Sequence, residues 1–323
     1  MAGPQTGYPR AVDDPAQRDD PALRHDPAVA DEPERLRDLL APVRALVLDA
    51  DGVFVVAGRP VPGATDALAD LTRRGIPWRV LTNTSTASRQ ALSDRYAAIG
   101  LAVPAARITT AASATAAHTA SRFAGRPLFV IATPEAVTEF EGQRLLTAEE
   151  AAVPDAGVAA VVVGDGGDDL SYRTLDLAFR LVRGGAALLA MHRNPWWLTA
   201  RGPTLDIGAF VVGLEYAAGV RATVLGKPSA AVFRAAAASL AEEHAARWPG
   251  SGRERLPRSA VAMVGDDLGM DVIPARRAGL RGILLLSGRD GPTALARAAA
   301  RARGGRVADA VATSLAAVVA ALP

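Results

Sequence analysis

The stretch "ALVLDADGVFVV" (45–56) sets Asp49 and Asp51 one residue apart at the end of an apolar run. Carboxylates this close repel each other and resist burial unless something neutralises them. Two more aspartates, Asp266 and Asp267, followed by Asp271, stand in "MVGDDLGMDV" (263–272). "VLTNTS" (80–85) adds the hydroxyl of Thr82 and the amide of Asn83, and "VLGKPS" (224–229) adds the ammonium of Lys227. Together these types suit phosphoryl transfer through an aspartyl-phosphate. A carboxylate can attack phosphorus, and Asp49 is placed to do so. Asp51 would protonate the leaving alkoxide and then take a proton from the attacking water. Mg²⁺ prefers oxygen donors and keeps several waters, so Asp49, the Asp51 main-chain carbonyl and Asp266 would suffice to hold it. Lys227 and Thr82 would hold the transferring phosphoryl oxygens. Any one of these residues alone would serve as well as a helix cap or turn former. Their grouping after successive apolar runs is what points to a site.

Those runs must be the elements that position them. "RALVLDA" (44–50), "PWRVLTN" (77–83), "TVLGKPS" (223–229), "SAVAMVGDD" (259–267) and "RGILLLSG" (281–288) read as buried parallel strands. Helices are expected in "GATDALADLTRRG" (63–75), "SRQALSDRYAAIG" (88–100), "AAVFRAAAASLAEEHAAR" (230–247) and "VIPARRAGL" (272–280). The alternation predicts an α/β fold with a doubly wound parallel sheet, whose ligands bind at the carboxyl ends of the strands. Between them, 120–205 has strands "PLFVIA", "VAAVVVG" and "AALLAMH" and the helix "SYRTLDLAFRLVRGG", and reads as a smaller inserted α/β cap. The expected division is a tail at 1–40, a core at 41–119 and 206–323, and a cap at 120–205. The tail repeats "DDPAQR", "DDPALR" and "HDPAVA", too poor in large apolar residues to offset its ordering entropy, and is expected to be disordered.

Composition narrows the class. The chain of 323 residues carries a net charge of +2 and only 5% aromatic residues, without the basic stripe or stacking platforms of a nucleic-acid binder. No apolar stretch approaches the ~20 residues of a membrane span. The first residues lack the basic head and apolar core of a secretory signal, and there is no cysteine. A cytoplasmic location, without nucleic-acid or membrane partners, is the expectation.

"LVLDADGV", "VLTNTS", "VLGKPS" and "MVGDDLGMDV" resemble the four ordered motifs of the haloacid dehalogenase-like (HAD) hydrolases. The resemblance covers about 43–320. It is closest to the subfamily with an α/β cap inserted after the second motif, subfamily IIA, which includes NagD-like and phospholysine/phosphohistidine/pyrophosphate phosphatases. It implies a Mg²⁺-dependent phosphatase acting on a small phosphorylated metabolite. Asp49 matches the nucleophile and Asp51 the acid/base whose carbonyl ligates Mg²⁺. Thr82, Asn83 and Thr84 match the phosphate-binding second motif, Lys227 the third and Asp266 the acidic metal ligand of the fourth. Asp271 matches the second acid of that motif, which supports metal waters or the lysine. Asp267 is either outer shell or a turn residue. Relatives pair through the cap, which implies a homodimer. The alternatives are a non-catalytic phospho-ligand binder or another HAD reaction, a phosphomutase or a dehalogenase. A dehalogenase, however, has no need of an acid at position 51.

Two features depart from the family pattern. Ala50 stands between the paired aspartates where many relatives have a larger residue, and "LDIGAF" (205–210) replaces a late "PGxG"-like turn. In the cap, Trp196 and Trp197 either stack on a planar leaving group or pack at the seam with the core. His118 and His192 lack partners at metal-ligand spacing and read as structural. "GDGGDD" (164–169) reads as a turn that caps the next helix.

Overall fold

The computed structural model describes residues 33–199, 202–249, 255–286 and 307–323. Fourteen strands run through these residues in chain order: β1 (Ala45–Leu48), β2 (Val55–Val56), β3 (Arg59–Pro60), β4 (Trp78–Thr82), β5 (Ile108–Thr110), β6 (Leu128–Ile131), β7 (Ala160–Val163), β8 (Ala187–Ala190), β9 (Trp196–Thr199), β10 (Gly202–Leu205), β11 (Thr223–Val224), β12 (Val261–Gly265), β13 (Arg281–Leu285) and β14 (Ala310–Ala312). Six form one sheet in the order β14-β13-β12-β1-β4-β5, and every pair is parallel. This is the expected α/β fold with a parallel sheet.

β1 sits in the middle of that sheet and is buried on both faces. Leu46 and Leu48 point into a core shared with helices Pro33–Leu40, Ala64–Arg74 and Leu315–Ala321, while Ala45 and Val47 meet helix Ala230–Arg247 on the other face. Two covered faces explain why the sequence shows a continuous apolar run rather than alternation. Each buried leucine contributes about 2 kcal/mol by removal from water.

A second parallel sheet has the order β11-β8-β7-β6. Helix Ala111–Arg122 covers one face, and helices Tyr172–Arg183 and Gly208–Ala218 cover the other. This corrects the expected boundaries. Thr223–Val224, read from the sequence as a core strand, pairs with β8, and helices 111–122 and 208–218 also pack on the smaller sheet. The smaller unit therefore extends beyond 120–205 in both directions. The reason is that a two-residue strand, one residue of which is an exposed threonine, carries no information about which sheet it joins.

The expected disordered tail is corrected at its end. Pro33–Leu40 is helical and buries Leu36 and Leu40, one turn apart, against the core. Residues 1–32, with the repeats, lie outside the described residues. Among the described residues, no helix is long and apolar enough to cross a membrane.

Candidate active site

β1 ends at Leu48, in register with Val264 of β12 and Val80 of β4, so Asp49 emerges at the carboxyl edge between two neighbours. Its N–H donates to Val264 O at 2.9 Å. The chain then turns tightly, with the N–H groups of Val53, Phe54 and Val55 all directed at Ala50 O. Gly52 makes the turn possible: its φ is +78°, and a Cβ there would lie 2.2 Å from Asp266 Oδ2. The turn after β1 is thus bare backbone where the carboxyl group that follows β12 comes to rest.

Lys227 joins these groups from the loop after β11. Its Nζ lies 2.7 Å from Asp49 Oδ1 and 2.7 Å from Asp271 Oδ1, and all three side chains are buried. Burial works against the ammonium, but the charges of Asp271 and Asp49 outweigh it and hold the Lys227 pKa above the ordinary lysine value. For Asp271 burial, reinforced by Asp49, wins over the attraction of Lys227 and raises its pKa well above the usual carboxylate range. Asp51 is exposed, yet the surrounding protein thins its hydration. That desolvation first, then the charges of Asp49 and Asp266 against the pull of Lys227, raise its pKa to about 6. Such a group can give up a proton and take it back near neutrality.

Asp49, Asp266 and Asp271 each offer a carboxylate oxygen, and these atoms lie within 4.8 Å of one another. Three hard oxygen donors from two strand ends fit a divalent cation such as Mg²⁺. The sequence expectation had placed Asp271 as a supporting residue; the structure brings its carboxylate into the same cluster while it also accepts from Lys227.

Thr82 closes β4, and its hydroxyl lies 2.9 Å from Thr84 Oγ1 and accepts the Thr84 N–H at 3.2 Å. The side chain of Asn83, expected among the phosphate-binding residues, is turned to the lysine loop. Its Nδ2 donates to Lys227 O at 3.0 Å and its Oδ1 accepts the Lys227 N–H at 2.8 Å. Both ends of the amide are engaged by one residue's backbone, so Asn83 is a clamp on the lysine loop. Gly226 allows that contact, since a Cβ there would lie 2.7 Å from Asn83 Oδ1 and 2.5 Å from Met191 O. Of the two roles open to Asp267, the structure shows the turn: Oδ1 accepts from Gly269 N at 2.8 Å and Met270 N at 2.9 Å. Trp196 and Trp197 stand on the antiparallel hairpin of β9 and β10, 46% and 45% exposed.

A buried polar group stands beside the second motif, unannounced by any local pattern. His192 Nε2 lies 3.0 Å from Ser85 Oγ and 3.8 Å from Asp206 Oδ1, and Asn194 N–H donates to His192 Nδ1 at 3.4 Å. The only prior signal was that Ser85 and His192 follow strands. Ser, His and Asp together invite comparison with a hydrolytic triad, but the geometry is wrong. Nδ1 accepts, so the proton sits on Nε2, which donates to Ser85 and cannot take its proton. Burial lowers the His192 pKa from 6.5 to about 4. The unfolded chain therefore binds a proton that the folded one refuses between those values, and stability falls as pH drops through that window. The imidazole alone should cost about 3 kcal/mol by the time pH reaches 4. Urea unfolding at pH 7 and pH 4.5 checks this: His192→Gln should lose less stability on acidification than the wild type.

Two family models match this chain: haloacid dehalogenase-like hydrolase over residues 46–145, and HAD-hydrolase-like over residues 224–315. The chain is similar to haloacid dehalogenase-like hydrolase domain-containing protein 2 of Bos taurus, with 32% identity over 247 residues, 76% of this chain and 85% of the relative. It is 28% identical to the human phospholysine phosphohistidine inorganic pyrophosphate phosphatase over 260 residues, 79% of this chain and 87% of that protein. Among solved structures, a 4-nitrophenylphosphatase from Thermotoga maritima superposes with a TM-score of 0.74 at 26% identity, covering 88% of this chain and 99% of that one.

Proposed function

Because this chain belongs to the haloacid dehalogenase-like hydrolases, we propose that it is a Mg²⁺-dependent phosphatase that hydrolyses a small phosphate monoester through an aspartyl-phosphate. The observation that carries this is the Lys227 ammonium held 2.7 Å from both Asp49 and Asp271. It sets one cation against a carboxylate at the carboxyl edge of the core sheet, where an incoming phosphoryl group would also find the hydroxyls of Thr82 and Thr84. The names of the relatives, which include phosphatases of 4-nitrophenyl phosphate and of phosphorylated amino acids, support the same reaction class.

In this mechanism Asp49 attacks phosphorus and the ester oxygen leaves. Asp51, two residues on and exposed, gives that oxygen a proton and then removes one from the water that cleaves the aspartyl-phosphate. Lys227, Thr82 and Thr84 hold the phosphoryl oxygens as charge develops on them. Asn83 keeps Lys227 in place. Asp49, Asp266 and Asp271, with the Asp51 carbonyl as the further donor the motif implies, would hold a Mg²⁺, which would supply positive charge to screen the acids and the substrate.

A panel of phosphate monoesters including 4-nitrophenyl phosphate tests the proposal. Phosphate release should appear with Mg²⁺, vanish with EDTA and return when Mg²⁺ is restored in excess. In ¹⁸O-labelled water the released phosphate should carry one solvent oxygen. Release that ignores EDTA would remove the metal from the account. A panel that gives no release at all would favour a phospho-ligand binder.

A further inference from the structure

We propose that His192 is a positioning residue that ties the cap to the phosphate-handling loops through a two-rung ladder of side chains. On the loop after β4, Asn83 and Ser85 are two residues apart; on the loop after β8, His192 and Asn194 are two residues apart. They meet in opposite order, Asn83 Nδ2 at 3.5 Å from Asn194 Oδ1 and Ser85 Oγ at 3.0 Å from His192 Nε2. Asn83 also holds both the N–H and the C=O of Lys227. One rung therefore ends on the backbone of the lysine, and the other begins next to Thr84.

The neutral imidazole suits this position because its two nitrogens do different jobs. Nδ1 accepts the Asn194 N–H and sets the bend that presents Asn194, while Nε2 donates across the seam to Ser85. The bend is braced from behind, where Gly208 N–H donates to Asn194 O at 2.9 Å. Other links cross the same seam. Thr133 Oγ1 donates to Thr86 O at 2.8 Å, and Glu139 takes the Arg89 N–H at 2.6 Å and its Nε at 2.9 Å. The Ser85–His192 rung differs in that both residues are buried, at 4% and 3% exposure. A buried donor left unpaired is costly, so this contact resists partial opening more than the exposed Arg95–Glu135 pair does. With His192 in place, the docked cap is the state in which Thr84 and Lys227 are held correctly.

This coupling rests on the phosphatase reading for its kinetic readout, so the experiment pairs kinetics with a measurement that needs no turnover. Amide exchange at Thr84 and Lys227 is compared in wild type, His192→Ala, His192→Gln and Ser85→Ala, alongside kcat and KM for 4-nitrophenyl phosphate. Gln retains a neutral N–H near the position of Nε2. His192→Ala should speed exchange at both amides by about tenfold and lower kcat by roughly ten- to a hundredfold, with KM moving far less. His192→Gln should restore most of both. Ser85→Ala should reproduce the loss, and the double variant Ser85→Ala/His192→Ala should be no worse than either single one. Should His192→Ala fail to fold, Ser85→Ala and His192→Gln decide the matter. Unchanged exchange, faster exchange with unchanged kcat, or losses that multiply in the double variant would overturn the proposal. A wild type without turnover would overturn the phosphatase reading instead, and exchange would then decide the coupling by itself.

Discussion

Asp49→Asn should reduce kcat by about 10⁴-fold or more while leaving the protein folded. The amide has the same shape, and its oxygen can still accept the Ala50 N–H that Asp49 Oδ1 takes at 2.7 Å. What it lacks is a lone pair basic enough to attack phosphorus. One negative charge also disappears from a group of three carboxylates whose oxygens lie within 4.8 Å, so the fold should lose little stability. The measurement is turnover of 4-nitrophenyl phosphate, joined to trapping of protein-bound phosphate after rapid acid quench of a ³²P-labelled substrate. Wild type should carry label that hydroxylamine removes, and Asp49→Asn should carry none. A variant that kept a tenth of wild-type turnover would show that Asp49 is not the nucleophile.

Lys227→Met should damage both the fold and the chemistry. Lys227 is 3% exposed and its partner Asp271 is 0% exposed, so removing the ammonium leaves the Asp271 carboxyl group buried without the cation and donor it pairs with. Breaking a buried pair from one side costs about 3–5 kcal/mol, which urea unfolding in EDTA would read directly. Turnover should fall by about 10³-fold, the scale of losing one preorganised donor to the transition state. Two controls separate these effects. The double variant Lys227→Met/Asp271→Asn should regain stability without regaining activity, because the unpaired ionisable group is gone while the phosphoryl contact is still missing. Added Mg²⁺ should stabilise Lys227→Met more than it does wild type, since a divalent cation can take over neutralisation of the acids. If Lys227→Met unfolds at the wild-type urea midpoint, the ion triad has no structural role.

The core of this picture was legible because its physics is local. β1, β4 and β12 announce themselves as unbroken apolar runs, since a parallel strand covered on both faces has no polar side to show. Helices 64–74 and 230–247 carry their start and stop signals in the sequence, the first closing at Gly75 with φ +63°. The failures arise where pairing at a distance decides. β11 has the same composition as a core edge strand, and only its partner β8 reveals which sheet it belongs to. Helix 111–122 shows no apolar stripe because it is sandwiched, with Ala112 and Ala116 toward the smaller sheet and Ala114 toward the core. Asn83 reads as part of the phosphate-binding motif from its position beside Thr82, and nothing local shows that its side chain also meets a backbone 144 residues away. His192 was readable only as a histidine without metal-ligand spacing, and its serine lies 107 residues away. Asp267 shows the limit from the other side: a capping aspartate and an outer-shell aspartate look identical until the amides that reach it are seen.

The edge position of β11 has a bearing on how such proteins diversify. A chimaera that exchanged only 120–205 would carry away a lid stripped of two helices and its border strand, leaving β8 with an open row of backbone groups ready to pair with another chain. The transplantable piece runs instead from about residue 111 to residue 225, and the joint falls directly before Gly226. Whatever new unit recombination delivers must therefore be spliced beside Lys227, whose ammonium meets Asp49 and Asp271, so under the proposed reaction the smaller unit and the cation are inherited across the same join.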